Sequence, residues 1–154
     1  MQEILFPAIK PYDTGFLQVS ELHQIFYAQY GNPTGIPIIW LHGGPGGGCS
    51  DNDTGYLDSN YYRIILLDQR GAGKSKPFCE MVENNTQNLI SDLEKLRIHL
   101  NVEKWVVLGN SWGTLLALCY AIAYPQNILG LILRSIFTGT RSEDRKSTRL
   151  NSSH

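Results

Sequence analysis

Apolar residues along this chain collect into short unbroken runs with glycine or polar loops between them. Residues 36–41 (Ile-Pro-Ile-Ile-Trp-Leu), 63–67, 105–108 and 128–133 are four such runs. Runs of this length that are apolar on both faces predict interior strands of a parallel sheet covered by helices. Ahead of them, residues 15–20 and 21–30 predict two further strands. In the second, Leu22, Gln24, Phe26 and Ala28 alternate with His23, Ile25, Tyr27 and Gln29, and Gly31-Asn32-Pro33 stops it. Residues 86–101 place Leu89, Ile90, Leu93, Leu96, Ile98 and Leu100 near helical spacing, and Asn85 or Thr86 can cap the start. Residues 115–124 predict a mostly apolar helix that Pro125 ends.

From residue 36 the order is strand, loop, strand, helix, strand, helix, strand. That order predicts an α/β doubly wound sheet with an antiparallel hairpin in front and helices on both faces. The last fourteen residues break the pattern. They hold four basic and two acidic side chains and a single apolar one, Leu150. They have no period that would bury a face, so disorder is expected there. The abrupt change after an apolar strand reads as non-native sequence of the kind that adapter read-through adds. The expected division is therefore 1–140 for the folded part and 141–154 for a disordered, non-native tail.

Composition narrows the function classes. The 154 residues carry 13 Lys+Arg against 14 Asp+Glu, which gives no electrostatic footprint for nucleic acid or an anionic membrane. No apolar run approaches the ~20 residues a bilayer crossing requires. The start, Met1-Gln2-Glu3-Ile4, lacks a signal-peptide layout, so a cytoplasmic protein is expected. Cys49, Cys79 and Cys119 are odd in number and unpaired in spacing, and the histidines show no metal-binding spacing. Neither a metal nor a cofactor is expected.

The chemistry is expected on loops at the carboxyl ends of the strands. Gly109-Asn110-Ser111-Trp112-Gly113 lies between a strand and a helix and matches G-x-S-x-G in the context that motif requires. A tight strand-to-helix turn would hold Ser111 in a strained conformation above the sheet, as a nucleophile. The loop His42-Gly43-Gly44-Pro45-Gly46-Gly47-Gly48 exposes backbone amides, as an oxyanion hole needs. Gly43 or Gly44 would supply one donor and the Trp112 amide the other. His42 is expected to brace this loop rather than act as the base. The third loop, Asp68-Gln69-Arg70-Gly71-Ala72-Gly73-Lys74-Ser75, ends like a phosphate loop. A Walker A motif would need glycine where Asp68 stands, so a structural role is expected, with Asp68 and Arg70 pairing to hold the loops together.

Taken together, His-Gly-Gly-Pro-Gly, Asp-Gln-Arg-Gly-x-Gly-x-Ser and Gly-x-Ser-Trp-Gly, in this order and spacing, resemble the proline iminopeptidase (prolyl aminopeptidase) family of α/β-hydrolases. Tyr12, Gly15, Asn85-Thr86, Tyr124-Pro125 and Leu133-Arg134-x-Ile136-Phe137 agree. The resemblance covers about residues 5–139. It departs at Asn110, where that family more often has glycine, and at Lys74, where it more often has arginine. It implies a cofactor-free serine aminopeptidase acting on peptides with an N-terminal proline. Ser111 would be the nucleophile, and Gly43 or Gly44 with Trp112 the oxyanion hole.

One part of that machinery is not legible. The order for this fold is serine, acid, histidine. After Ser111 only Glu143, Asp144 and His154 are available, all in the suspect tail. The resemblance places the acid, the histidine and a helical cap on later sequence. The chain is thus expected to be the N-terminal portion of the hydrolase, inactive by itself. Another α/β-hydrolase chemistry, on esters or lactones, is the alternative within enzymes. A non-catalytic binding module, with residues 128–133 as an open sheet edge, is the alternative outside them.

Overall fold

The computed structural model describes residues 6–43 and 47–135. Six strands form one sheet: β1 (Asp13–Gln18), β2 (Gln24–Gly31), β3 (Ile36–Leu41), β4 (Tyr62–Asp68), β5 (Trp105–Asn110) and β6 (Ile128–Arg134). Their spatial order is β1-β2-β4-β3-β5-β6. The pairs β1–β2 and β2–β4 are antiparallel, whereas β3–β4, β3–β5 and β5–β6 are parallel. Helix α1 (Thr86–His99) joins β4 to β5, and α2 (Gly113–Ala123) joins β5 to β6. This is the α/β-hydrolase architecture, and the described residues cover part of it.

The front hairpin has a longer turn than the alternation suggests, since β1 ends at Gln18. Val19 N–H donates to the His23 carbonyl at 3.0 Å, and the Ser20 hydroxyl accepts from His23 N–H at 2.9 Å. Residues 20–23 thus become the turn, and β2 begins at Gln24. Asn85 caps α1 by accepting from Asn88 N–H.

Helices cover both faces of the sheet, but unequally, since both α-helices lie on one and the 3-10 helix on the other. Leu89, Ile90, Leu93 and Leu96 of α1 join Leu116, Ala117 and Tyr120 of α2 in one core, against Ile39, Leu41, Ile65, Leu67 and Val107 of the sheet. The other face buries Ala28, Tyr30, Ile38, Trp40, Ile64, Leu66 and Leu108 beneath Leu57 and Tyr56. Those come from the 3-10 helix Asp51–Tyr56 and the residue after it, a segment expected to be loop. Crossover handedness explains the difference. Steps β4→β5 and β5→β6 run the same way across the sheet, so right-handed connections put both α-helices on one face. The step β3→β4 runs the opposite way, and its connection falls on the other face.

The strand order therefore reverses at β3, and the loops after β3 and β5 leave in opposite directions from neighbouring carboxyl ends. A crevice opens there, the usual place for a ligand in such sheets. Strand β6 pairs only with β5 in the described sheet, so the fourth apolar run stands at an edge instead of inside, with Leu129, Leu131 and Ile132 exposed. Among the described residues, no helix is long and apolar enough to cross a membrane.

Candidate active site

Strand β5 ends at Asn110, and the chain reverses within one residue to enter α2. Ser111 makes that turn at φ 55°, a left-handed conformation that costs a non-glycine residue roughly 1–3 kcal/mol. Three hydrogen bonds hold it there. Its amide donates to the Arg134 carbonyl at 2.9 Å, and its carbonyl accepts from the Thr114 amide at 3.0 Å and the Thr114 hydroxyl at 2.7 Å. Ser111 is exposed above the sheet.

Both flanking glycines are required by backbone crowding. A Cβ on Gly109 would lie 2.8 Å from Thr114 Cα, against the Gly113 carbonyl. A Cβ on Gly113 would strike the carbonyl oxygens of Leu41 and His42. The elbow is thus wedged against the end of β3. The same wedge brings the next loop to the serine: a Cβ on Gly43 would sit 2.9 Å from Ser111 Cβ and 3.5 Å from Ser111 Oγ. Gly43 and Ser111 are neighbours across the crevice, with the Trp112 backbone (φ −57°, ψ −31°) at the start of α2. Gly44 lies outside the described residues, as does the tail expected from residue 141.

His42 is buried beneath this loop. Its Nε2 accepts from the Gln69 amide at 3.0 Å, and the Gln69 side chain donates to the His42 carbonyl at 3.1 Å. With Nε2 accepting, the ring proton belongs on Nδ1, 3.0 Å from the Gly43 carbonyl. The Gly48 amide, 3.2 Å from Nδ1, is then a close approach to a protonated nitrogen. Burial lowers the His42 pKa, keeping the ring neutral, while the Gly43 hydrogen bond and the Asp68 and Asp53 charges oppose it. Neither ring nitrogen is directed at Ser111.

The other described histidines are engaged elsewhere. His23 Nε2 lies 2.7 Å from the Val82 carbonyl, and His99 Nε2 lies 3.2 Å from the Tyr27 hydroxyl.

Asp68 and Arg70 do not pair, contrary to expectation. The Asp68 carboxylate accepts the Cys49 amide at 2.7 Å and the Lys74 amide at 2.9 Å. Arg70 instead forms a bidentate ion pair with Asp92 of α1, with Nε–Oδ2 2.7 Å and Nη2–Oδ1 2.8 Å, and donates through Nη1 to the Glu83 carbonyl at 2.6 Å. The reason is local. Asp68 is the last residue of β4 and its carboxylate is enclosed by the glycines at 48 and 73, so two amides reach it first. Burial raises the Asp92 pKa, and Arg70 opposes this through its hydrogen bonds and charge.

Asp92 was missed in the sequence, although a signal exists. It sits three residues after Leu89 and four before Leu96, a lone carboxylate on the apolar stripe of α1. Gln69 carries no comparable signal.

Two other features lie close by. A cavity of about 520 Å³ opens between the loop after β4 and the start of α1, bordered by Trp112, Arg70, Met81, Asn84 and Leu89. The Cys49 thiol donates to the Leu67 carbonyl at 3.3 Å, and burial pushes its pKa well up, aided by Asp68 and Asp53, which leaves a poor nucleophile. Among the described residues, no three of His, Cys, Asp and Glu converge to ligate a metal.

Comparison with known proteins agrees with this geometry. The chain is 55% identical over 139 residues to a probable proline iminopeptidase of Leptolyngbya boryana, covering 90% of this chain and 43% of that protein. It is 47% identical to a proline iminopeptidase of Arabidopsis thaliana, covering 90% of this chain and 37% of that one. The chain thus spans less than half the length of these relatives. The crystal structure of a proline iminopeptidase-related protein from Thermus thermophilus superimposes with a TM-score of 0.70 at 29% identity, covering 79% of this chain and 43% of the other. Residues 36–150 match the family described as the alpha/beta hydrolase fold, and the chain belongs to that family.

Proposed function

We propose that Ser111 is the nucleophile of a serine-type prolyl aminopeptidase, which releases N-terminal proline from peptides through an acyl-enzyme. The observation that carries this reading is Ser111 held at φ 55° with Gly43 packed against its side chain. A nucleophile in that position has amides beside it where the carbonyl oxygen of a bound substrate becomes negative. Gly43 or Gly44 and Trp112 are the proposed donors, each oxyanion-hole bond contributing about 2.7–4 kcal/mol to the transition state. The similarity to proline iminopeptidases supplies the substrate class, an N-terminal prolyl peptide.

His42, Asp68, Gln69 and Arg70 are the proposed supports. They fix the loops after β3 and β4 through the bonds described above and take no proton from the reaction. The described histidines are all committed to other partners, so the proposed acid and base come from outside the described residues. Because the chain spans less than half the length of these relatives, we propose that the 154-residue chain alone gives only background turnover.

The test is hydrolysis of an L-prolyl arylamide. It is run with the 154-residue chain and with that chain joined to the remaining portion of the Leptolyngbya relative. The joined protein is expected to cleave the arylamide, and Ser111→Ala to abolish this. Activity that survives Ser111→Ala would overturn the reading. Cleavage of simple acyl esters without the prolyl amide would replace the aminopeptidase with an esterase. Ser111-dependent cleavage by the 154-residue chain would overturn the proposal that it is inactive alone.

A further inference from the structure

The nucleophile's own amide is held by a residue from another strand, and that residue has an unusual side-chain setting. Arg134 ends β6, and its carbonyl accepts from Ser111 N–H at 2.9 Å. Its guanidinium carbon lies 4.1 Å from the ring centroid of Tyr56 and 5.9 Å from that of Trp40. The two rings are stacked 5.7 Å apart at 19°. The cation and the two rings thus form a compact triangle. Register accounts for the meeting. Trp40 pairs with Leu108 and Leu108 with Ile132, so Arg134, two residues beyond Ile132, points to the same face of the sheet as Trp40.

Tyr56 belongs to the 3-10 helix, which is itself firmly anchored. A capping box joins Ser50 and Asp53, the Thr54 hydroxyl donates to the Asp51 carbonyl at 2.7 Å, and the Cys49 amide just before it is held by Asp68. That helix follows directly on the glycine loop packed against Ser111. Arg134 therefore touches both halves of the candidate site: its backbone bonds the serine, and its side chain rests on the segment that returns from the glycine loop.

We infer that Arg134, seated on Tyr56 and Trp40, is a positioning residue that holds the end of β6 in place and so fixes the backbone of Ser111. The inference rests on Ser111 being the nucleophile for its meaning, but not for its test. Without the aromatic seat, the end of β6 is left with its ladder to β5, the packing of Leu133 on the core and the charge of Asp53 near the guanidinium. The Ser111 amide then loses its acceptor whenever that strand end frays.

The test reads that amide directly, by hydrogen exchange in the 154-residue chain. Arg134→Gln and Tyr56→Leu are expected to speed exchange at Ser111 by about tenfold, the loss of a partly buried cation–π contact, whereas Ile65→Val in the core, which lowers global stability without touching this seat, is expected to leave the Ser111 rate unchanged. Arg134→Lys, which retains a cation beside the rings, is expected to restore most of the protection. An unchanged Ser111 rate in both variants would overturn the inference. So would a Ser111 rate that rises equally in Ile65→Val, because the amide then opens only with global unfolding and not with fraying of the strand end. In the joined protein, Arg134→Gln is expected to lower kcat with KM nearly unchanged. If prolyl arylamide is not a substrate, the exchange result still stands or falls by itself, so the two readings fail separately.

Discussion

Two glycine-rich loops leave β4 and β5, the strands on either side of β3, at the same end of the sheet, and they use glycine for opposite purposes. In the elbow after β5, Gly109 and Gly113 abut other main chain, and their missing side chains let the backbone of β3 and α2 close around Ser111. In the loop after β4, Gly73 leaves room for the Asp68 carboxylate, which Gly48 approaches from the other side. The amides of Cys49 and Lys74 turn inward to that carboxylate. In a Gly-Lys-Ser sequence that suggests a phosphate cradle, the Lys74 amide is thus committed to an internal anion and the Ser75 amide to the Ala72 carbonyl. One loop is built to present a side chain, the other to retain one.

The largest expected effect tests the backbone crowding at the elbow. Gly113→Ala would drive a methyl group into two carbonyl oxygens that belong to a buried strand end. The expected loss exceeds about 3 kcal/mol, because no flexible side chain can give way. Urea unfolding followed by circular dichroism measures it, and a loss below about 1 kcal/mol would mean that β3 can yield.

The second prediction concerns the scaffold behind the retained loop. Asp92→Leu leaves the Arg70 guanidinium buried without its carboxylate, at an expected cost of about 3–5 kcal/mol. Adding Arg70→Met should recover most of it. If the double variant is no more stable than the single one, Arg70 is held by something other than its charge partner.

A smaller effect should have the opposite sign. Ser111→Gly removes the penalty of a left-handed serine and is expected to stabilise the chain by about 1 kcal/mol. Ser50→Gly, at a residue whose backbone is extended, should bring no such gain. Equal responses at the two positions would remove the argument for strain at the elbow.

The smallest effect separates two carboxyls in the middle of α1, Asp92 and Glu94, by pH. Burial alone would raise Glu94, but hydrogen bonds from Arg97, Tyr120 and Asn127, with the Arg97 charge, hold its pKa below the ordinary 4.5. A carboxyl depressed in the folded state adds stability above its unfolded pKa, and that contribution disappears as pH falls through the folded value. Asp92, raised by burial, has the opposite sign and protonates earlier. Stability measured from about pH 6 to pH 3 is expected to fall below about 4.5, and Glu94→Gln to flatten that fall. An unchanged slope would place the acid sensitivity elsewhere.

Much of this molecule was legible in its sequence because hydrophobic period and glycine spacing are local signals. The runs at β3, β4 and β5 read directly as strands, and the G-x-S-x-G spacing located the serine turn. Features that depend on chain direction were not legible. Nothing in the residue pattern signals that β3→β4 crosses the sheet oppositely to β4→β5, so the 3-10 helix and the single-faced α-helices were missed. Partner choice was equally hidden. Asp68 and Arg70, two positions apart, read as a pair, yet each bonds a group far along the chain. The Arg134 carbonyl could not be assigned to Ser111, since the bond depends on how β6 lies beside β5.

The Ser111 turn is closed from both directions along the polypeptide. Its wedge comes from Leu41 and His42, far upstream, and its amide acceptor from Arg134, downstream. A nascent chain emerging from the ribosome therefore has the upstream wedge and both Thr114 bonds at Ser111 once α2 is out, but not the Arg134 acceptor. Until β6 has been synthesised and has docked, the Ser111 amide lacks its acceptor. The last of the three hydrogen bonds at the turn arrives with the strand at the edge of the described sheet.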